Sequence, residues 1–260
     1  MAVEYDGTTL LGFQRQSQGP TVQSWLEDAL GRVADHPVEV FCSGRTDSGV
    51  HAAGQVVHFD TTARRSERAW ILGCNHHLPG QIAALWIRPV PEDFHARFSA
   101  RWRRYRYRLL NRWVRPALDR DHVAWVPETL DADSMDRAAR ALVGRHDFSA
   151  FRAAGCQAAH SVREVFSLNV TRSGTEIHLE ITANAFLYHM VRNIVGTLLE
   201  VGRGGRPEDW PGKVLASGDR RQAGPTAPAG GLSYLGAHYD PELGLPTDQV
   251  VSFPRGWNLS

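Results

Sequence analysis

The chain has 260 residues, 42% hydrophobic and 22% charged, with a formal net charge of +1. That composition supplies one large core or two moderate ones without disulfide or metal support, and it excludes a disordered or strongly basic chain. Cys42, Cys74 and Cys156 are odd in number and form no C-x-x-C pair, which points to reduced thiols in a cytoplasmic protein and away from a zinc site.

In chain order, Ala2 to Tyr5 reads as the tail of a first strand, ended by Asp6-Gly7. From Thr21 to Ala34, residues such as Val22, Trp25, Leu26 and Ala29 recur at helical spacing behind Pro20. Val38 to Cys42 and Gln55 to Phe59 read as strands, with a tight turn between them. His76-His77 falls at a helix end or loop, and Ile82 to Val90 is a near-continuous apolar strand bounded by prolines. The order before residue 105 is therefore strand, helix, strand, strand, helix, strand. Arg103 to Leu110 alternates arginine with Tyr105, Tyr107 and Leu109, a period-two strand with one basic face, and Tyr107 is expected on the side opposite Tyr105.

Beyond it, Ser134 to Val143 is expected to be a helix capped by Asp133, and Val162 to Val170 with Glu176 to Thr182 a hairpin. Ala185 to Val201 is the most apolar helix and stops at Gly202. Pro207 to Ala216 reads as a short helix, Gly224 to Gly231 as a loop, and Leu232 to Tyr239 as a last strand. A similar element order thus recurs after residue 105. Two α+β halves are expected, at 1–104 and 105–240, with an irregular tail at 241–260. No apolar run is long enough to span a bilayer, and no signal-peptide pattern is present.

Three stretches carry chemistry. The first is Gly44-Arg45-Thr46-Asp47-Ser48-Gly49-Val50-His51-Ala52, which puts one carboxylate, Asp47, in a glycine-flanked turn at a strand end. An arginine two residues earlier can counter that carboxylate or reach a phosphate. The same aspartate could simply cap its own backbone. The second runs from Phe94-His95-Ala96-Arg97-Phe98-Ser99-Ala100 to Arg108, with six arginines from Arg97 onward, interleaved aromatics and no acid. That is the composition of a phosphate-binding, base-stacking surface, or of an edge strand protected by charge. The third is Asn184 to Gly196, an apolar helix holding one arginine, Arg192, which must find a partner or snorkel to solvent. Twelve histidines include no H-E-x-x-H pattern, and no nucleotide-binding fingerprint occurs, so neither a metal nor a cofactor is expected.

The nine-residue GRTDSGVHA string closely resembles the active-site motif of the TruA family, the tRNA pseudouridine synthases that act on the anticodon stem-loop. The F-H-A-R-F-S-A run followed by R-Y-x-Y, and A-F-x-x-H-M-V-R-N-I-V-G, resemble that family's other motifs in the same order, over about Val3 to Tyr239. The resemblance implies a pseudouridine synthase-like α+β fold: two halves with joined, mainly antiparallel sheets around a central active-site cleft. It implies an isomerase that converts uridine to pseudouridine at tRNA positions 38 to 40, with Asp47 as the catalytic residue. Whether Asp47 attacks the ribose, attacks the base or removes a ribose proton is left open. Tyr105 would stack on the target uracil and Arg192 would pair with Asp47. Arg45 would fill the space the flipped base vacates, and Arg97 would hold backbone phosphates. tRNA is the implied partner, a homodimer the implied assembly, and no cofactor the implied requirement. The departures are a short N-terminal strand and the arginine-rich Arg101-Trp102-Arg103. A non-catalytic RNA-binding protein with Asp47 as a turn residue is the rival reading.

Overall fold

The computed structural model describes residues 1–246; the part of the expected irregular tail from 247 to 260 lies outside the described residues. The elements in chain order are β1 (Ala2–Tyr5), α1 (Val22–Ala34), β2 (Phe41–Cys42), β3 (His51–His58), α2 (Glu67–His77), β4 (Ile82–Trp86) and β5 (Trp102–Asn111). There follow β6 (Ala124–Val126), α3 (Ala132–Ala139), β7 (Gly144–Asp147), β8 (Val162–Ser173), β9 (Glu176–Ala183), α4 (Met190–Gly202), α5 (Trp210–Ser217) and β10 (Leu232–His238). The class is α+β, as expected, and among the described residues no helix is long and apolar enough to cross a membrane.

Two compact units divide the chain. Met1–Arg103 forms the first together with the described residues from Ser233 onward, and Arg104–Leu232 forms the second. In the first unit the strands lie in the order β4-β1-β3-β10, and β2 pairs with the far part of β3. β1 is antiparallel to both neighbours, whereas β10 runs parallel to β3, with Ser233 opposite His51 and Tyr234 opposite Ala52. α1 begins where the sequence places it. Thr21 and Ser24 exchange side-chain and backbone hydrogen bonds in a capping box, and Val22, Leu26, Ala29 and Leu30 are buried.

In the second unit β5-β9-β8-β7 are neighbours in that order, and β6 runs parallel to the far part of β5. β8 and β9 form the expected hairpin, paired from Val165–Ala183 out to Ser173–Glu176. Several expected boundaries move. Ile82 to Val90 is a strand only to Trp86, because Pro89 near its end and Pro91 just beyond cannot donate to a ladder. The α3 cap is Asp131, whose carboxylate accepts the Ser134 N–H, and Asp133 sits inside the first turn instead. α4 starts at Met190, five residues later than expected. His189 before it has φ 58°, a left-handed conformation that the helix cannot extend through.

Tyr105 and Tyr107 share one face of β5 and do not oppose each other. A two-residue offset in a strand returns to the same side, and the observed alternation buries Arg103, Tyr105, Tyr107 and Leu109 together. The basic face is the other one, and opposite charges on the next strand largely match it. Arg106 pairs with Glu180 at 2.5 Å, and Arg108 with Glu176 at 3.0 Å. Composition allows a phosphate-binding surface or an edge strand protected by charge; cross-strand pairing shows that two of its arginines stabilise the sheet.

Candidate active site

Asp47 lies in the first unit, on the loop between β2 and β3. It is half-buried, its carbonyl accepts the Val50 N–H at 3.1 Å, and Arg45 and Ser48 beside it are exposed. The loop is fixed from beneath by a buried polar network. Gln55, fully buried on β3, donates to the Gly44 carbonyl at 2.5 Å and accepts from the Ser43 hydroxyl at 2.6 Å. Ser43 Oγ also bonds the Tyr234 hydroxyl of β10 at 2.7 Å. The Tyr5 and Thr46 hydroxyls meet at 2.8 Å, one residue before Asp47.

A second set of contacts braces the loop from the side. The Phe13 N–H donates to the Thr46 carbonyl at 3.0 Å, and Ser48 Oγ donates to the Leu10 carbonyl at 3.2 Å. Gly12 makes this approach possible: its φ is +86°, and a Cβ there would lie 2.6 Å from the Thr46 oxygen. His51, at the start of β3, accepts the Gly7 N–H on Nδ1 at 3.0 Å. The turn is therefore held by several hydrogen bonds besides any that the Asp47 carboxylate makes, which fixes the backbone that presents this side chain.

Sequence reasoning did not single out Gln55, Ser43, Tyr5 or Tyr234. The available signal was Gln55 itself, a polar residue inside the apolar run that forms β3, where a buried amide requires partners. Gln55→Leu is expected to lower stability by about 1–3 kcal/mol, because it takes the amide donor from the Gly44 carbonyl and leaves the buried Ser43 hydroxyl with Tyr234 alone. The same change should cut kcat by about tenfold or more with little effect on KM. Thermal melts and steady-state kinetics check it, and an unchanged kcat would show that the loop holds its shape without Gln55.

Arg45 and Arg97 are brought to one region. Burial pushes the Cys42 thiol up to about 12, and both guanidinium groups oppose that shift. Cys42 is thus a protonated thiol near neutral pH and no nucleophile. Arg97 is exposed on the Phe94–Ala100 turn, with its guanidinium carbon 5.5 Å from the Phe98 ring centre. Phe98 is 75% exposed, so this turn presents a cation and an aromatic face side by side, the pairing that single-stranded bases and phosphates favour.

Tyr105 and Arg192 belong to the second unit. Tyr105 is buried on β5, its ring edge-on to Phe186 at 4.9 Å between centres. Arg192 sits in the first turn of α4, half-buried, and donates Nε to the Ala227 carbonyl at 2.8 Å; the Ala227 N–H returns a bond to the Arg192 carbonyl at 3.1 Å. The loop around Ala227 is pinned by a residue not foreseen from sequence. Asn193 is fully buried, donates to the Phe151 carbonyl at 2.8 Å, and accepts from Arg220 at 3.0 Å and Thr226 at 2.6 Å. The guanidinium of Arg192 is thereby oriented by a carbonyl on a rigid support.

The family model described as tRNA pseudouridine synthase matches residues 1–99 and 138–240. Curated proteins named tRNA pseudouridine synthase A are similar over nearly the whole chain. That of Xanthomonas euvesicatoria pv. vesicatoria (strain 85-10) is 53% identical over 95% of this chain and 97% of its own length. That of Stenotrophomonas maltophilia (strain K279a) is 54% identical over 96% and 98%. That of Aeromonas hydrophila subsp. hydrophila is 54% identical over 95% and 91%. A solved chain titled "Crystal Structure of a Cbf5-Nop10-Gar1 Complex" aligns with 91% of this chain and 48% of its own at 13% identity and a TM-score of 0.39, too distant to build on. With the family model matching most of the chain, and relatives of that identity matching it almost end to end, the chain belongs to the TruA family of tRNA pseudouridine synthases.

Proposed function

We propose that this protein isomerises uridine to pseudouridine in tRNA, at positions 38 to 40 on the 3′ side of the anticodon stem-loop. The observation that carries the reading is the Asp47 loop: the family's full motif, with its carboxylate half-exposed and its backbone held by Gln55, Tyr5 and Ser43. The uracil leaves C1′ through N1, turns and rejoins through C5. Substrate and product have the same atoms, so the net reaction consumes no second substrate. Asp47 supplies the carboxylate that acts in breaking or remaking the glycosidic bond. Arg192 serves as its counter-charge, and its support by Ala227 suits that task.

A uridine in a stem must leave the stack to react, at a cost of a few kcal/mol that phosphate contacts and stacking offset. Tyr105 stacks on the extruded uracil, Arg45 fills the space it vacates, and Arg97 holds a backbone phosphate. The protein works as a cytoplasmic homodimer with tRNA as its partner, as the family resemblance implies. Incubation with unmodified tRNA, followed by mapping of pseudouridine along the anticodon stem-loop, tests the reading. Modification at 38 to 40 is the expected result. Tight tRNA binding with no pseudouridine would instead favour the non-catalytic RNA-binding protein.

Tyr105→Leu is expected to lose most turnover and about 1–3 kcal/mol of affinity for tRNA, the worth of one stacked base. Tyr105→Phe should keep the affinity. Filter-binding and single-turnover assays on the two variants check this, and normal turnover in Tyr105→Leu would remove the ring from the reaction.

A further inference from the structure

The turn that carries Arg97 is held by imidazole rings. Three successive main-chain N–H groups meet ring nitrogens: Ala96 donates to His58 Nδ1 at 3.1 Å, and Arg97 and Phe98 donate to His95 Nδ1 at 3.1 and 3.4 Å. Each bond needs an unprotonated Nδ1, and therefore the neutral ring with its proton on Nε2. On its other side the turn is closed by Arg103, which donates to the Arg97 carbonyl and also to the Ser43 carbonyl at 3.3 Å. Ser43 opens the Asp47 loop, so one buried guanidinium ties the two segments together.

We propose that His95, backed by His58, is a positioning residue for tRNA capture: a neutral imidazole clamp that fixes the Arg97 backbone so that its guanidinium is presented to a phosphate. The proposal rests on the reading of Arg97 as a phosphate contact. Protonating Nδ1 of either ring replaces an acceptor with a donor that faces N–H groups, and the turn must open. The two rings lie 4.5 Å apart between centres, so a charge on one opposes a charge on the other.

The groups facing His58 favour its neutral form. His58 is stacked on Phe41 at 5.1 Å and is acted on by His95, Asp60 and the Met1 amine. Burial first, then His95, lowers its pKa below the usual 6.5 against the opposing pull of Asp60. His95 faces His58, the Phe41 and Phe98 rings, and the neighbouring Arg97. Because the folded pKa of His58 lies below its unfolded value, the clamp is whole above the unfolded value and is lost as pH falls through the folded one. A protonated imidazole would by itself attract RNA, so weaker binding on acidification is a signature of the clamp opening.

The test measures Kd, KM and kcat for unmodified tRNA from pH 7.5 to 5.5 at fixed salt. For the unaltered protein, Kd should rise about tenfold across that range. His95→Ala should show a similar rise in Kd and KM already at pH 7.5, with kcat kept within about twofold. In His95→Asn the amide oxygen takes the same two N–H groups, as in an Asx turn, and does not titrate. That variant should bind normally at pH 7.5 and lose clearly less affinity than the unaltered protein by pH 5.5, since of the two rings only His58 remains. Wild-type affinity that holds or rises on acidification overturns the clamp, as does a His95→Asn curve that follows the wild-type one. Should His95→Ala fail to fold, the asparagine curve alone decides. Arg97→Ala separates this proposal from the reading beneath it. Unchanged affinity there removes the phosphate contact itself, whereas weakened binding in Arg97→Ala beside normal binding in His95→Ala overturns only the clamp.

Discussion

Asp47→Asn is expected to reduce pseudouridine formation to below about a ten-thousandth of the unaltered rate, because an amide is neither a nucleophile nor a useful base. Binding of tRNA should stay within about threefold, since affinity rests on cationic contacts to phosphate. The fold should also survive. The loop is held by Gln55, Thr46, Phe13 and Ser48, through bonds to Gly44, Tyr5, Thr46 and Leu10, and none of these uses the Asp47 carboxylate. The result is therefore a clean separation of binding from chemistry, read by a tritium-release or primer-extension assay beside a binding isotherm. A variant that retained more than about a hundredth of the rate would exceed the usual reach of acid–base assistance alone and would take Asp47 out of the bond-breaking step.

The second large effect is structural. Gly196→Ala should destabilise the protein by at least about 3 kcal/mol and lower its melting temperature by roughly 6–12 °C. A Cβ at Gly196 would stand 1.6 Å from the Pro225 carbonyl oxygen, and from the other side a Cβ at Gly224 would meet the Gly196 oxygen at 2.5 Å. Both obstructions are backbone, so no rotamer change relieves them. To fit the methyl group the loop from Pro225 to Ala227 must draw away from α4. It would take with it the carbonyl that orients Arg192. The residual folded fraction should then turn over slowly, with Arg192 unsupported. Calorimetry with a single-turnover assay at a temperature well below the transition checks both halves, and an unshifted transition would mean that the close approach of helix and loop is not needed.

Much of the frame was legible because it rests on local patterns. α1 shows its period and its cap, the β8–β9 hairpin shows its turn, and Asp47 shows its motif. What was not legible depends on which group faces which across a long separation. The arginines of β5 read as a basic surface until Glu176 and Glu180 are seen opposite them. Gln55, Asn193 and Arg103 look unremarkable in sequence, and each proves to be a buried hub. The late start of α4 has the same origin. The stretch before it is apolar enough for a helix, and the left-handed His189 stops the helix from reaching further back. Tyr105 and Tyr107, expected on opposite sides, share one face of β5, because residues two apart in a strand point the same way.

The return of β10 to the first unit bears on synthesis at the ribosome. Ser43 and Tyr234, which share a hydrogen bond beneath the Asp47 loop, are 191 residues apart. At roughly 5–20 residues per second, about ten to forty seconds pass between making one and making the other. During that interval the nascent first unit has its motif but lacks the strand that flanks β3, and β3 shows an unpaired edge. The second unit is made in full before the first can close. Catalytic competence therefore arrives late, and a chain released before Tyr234 carries every residue of the GRTDSGVHA motif without the support that fixes its base.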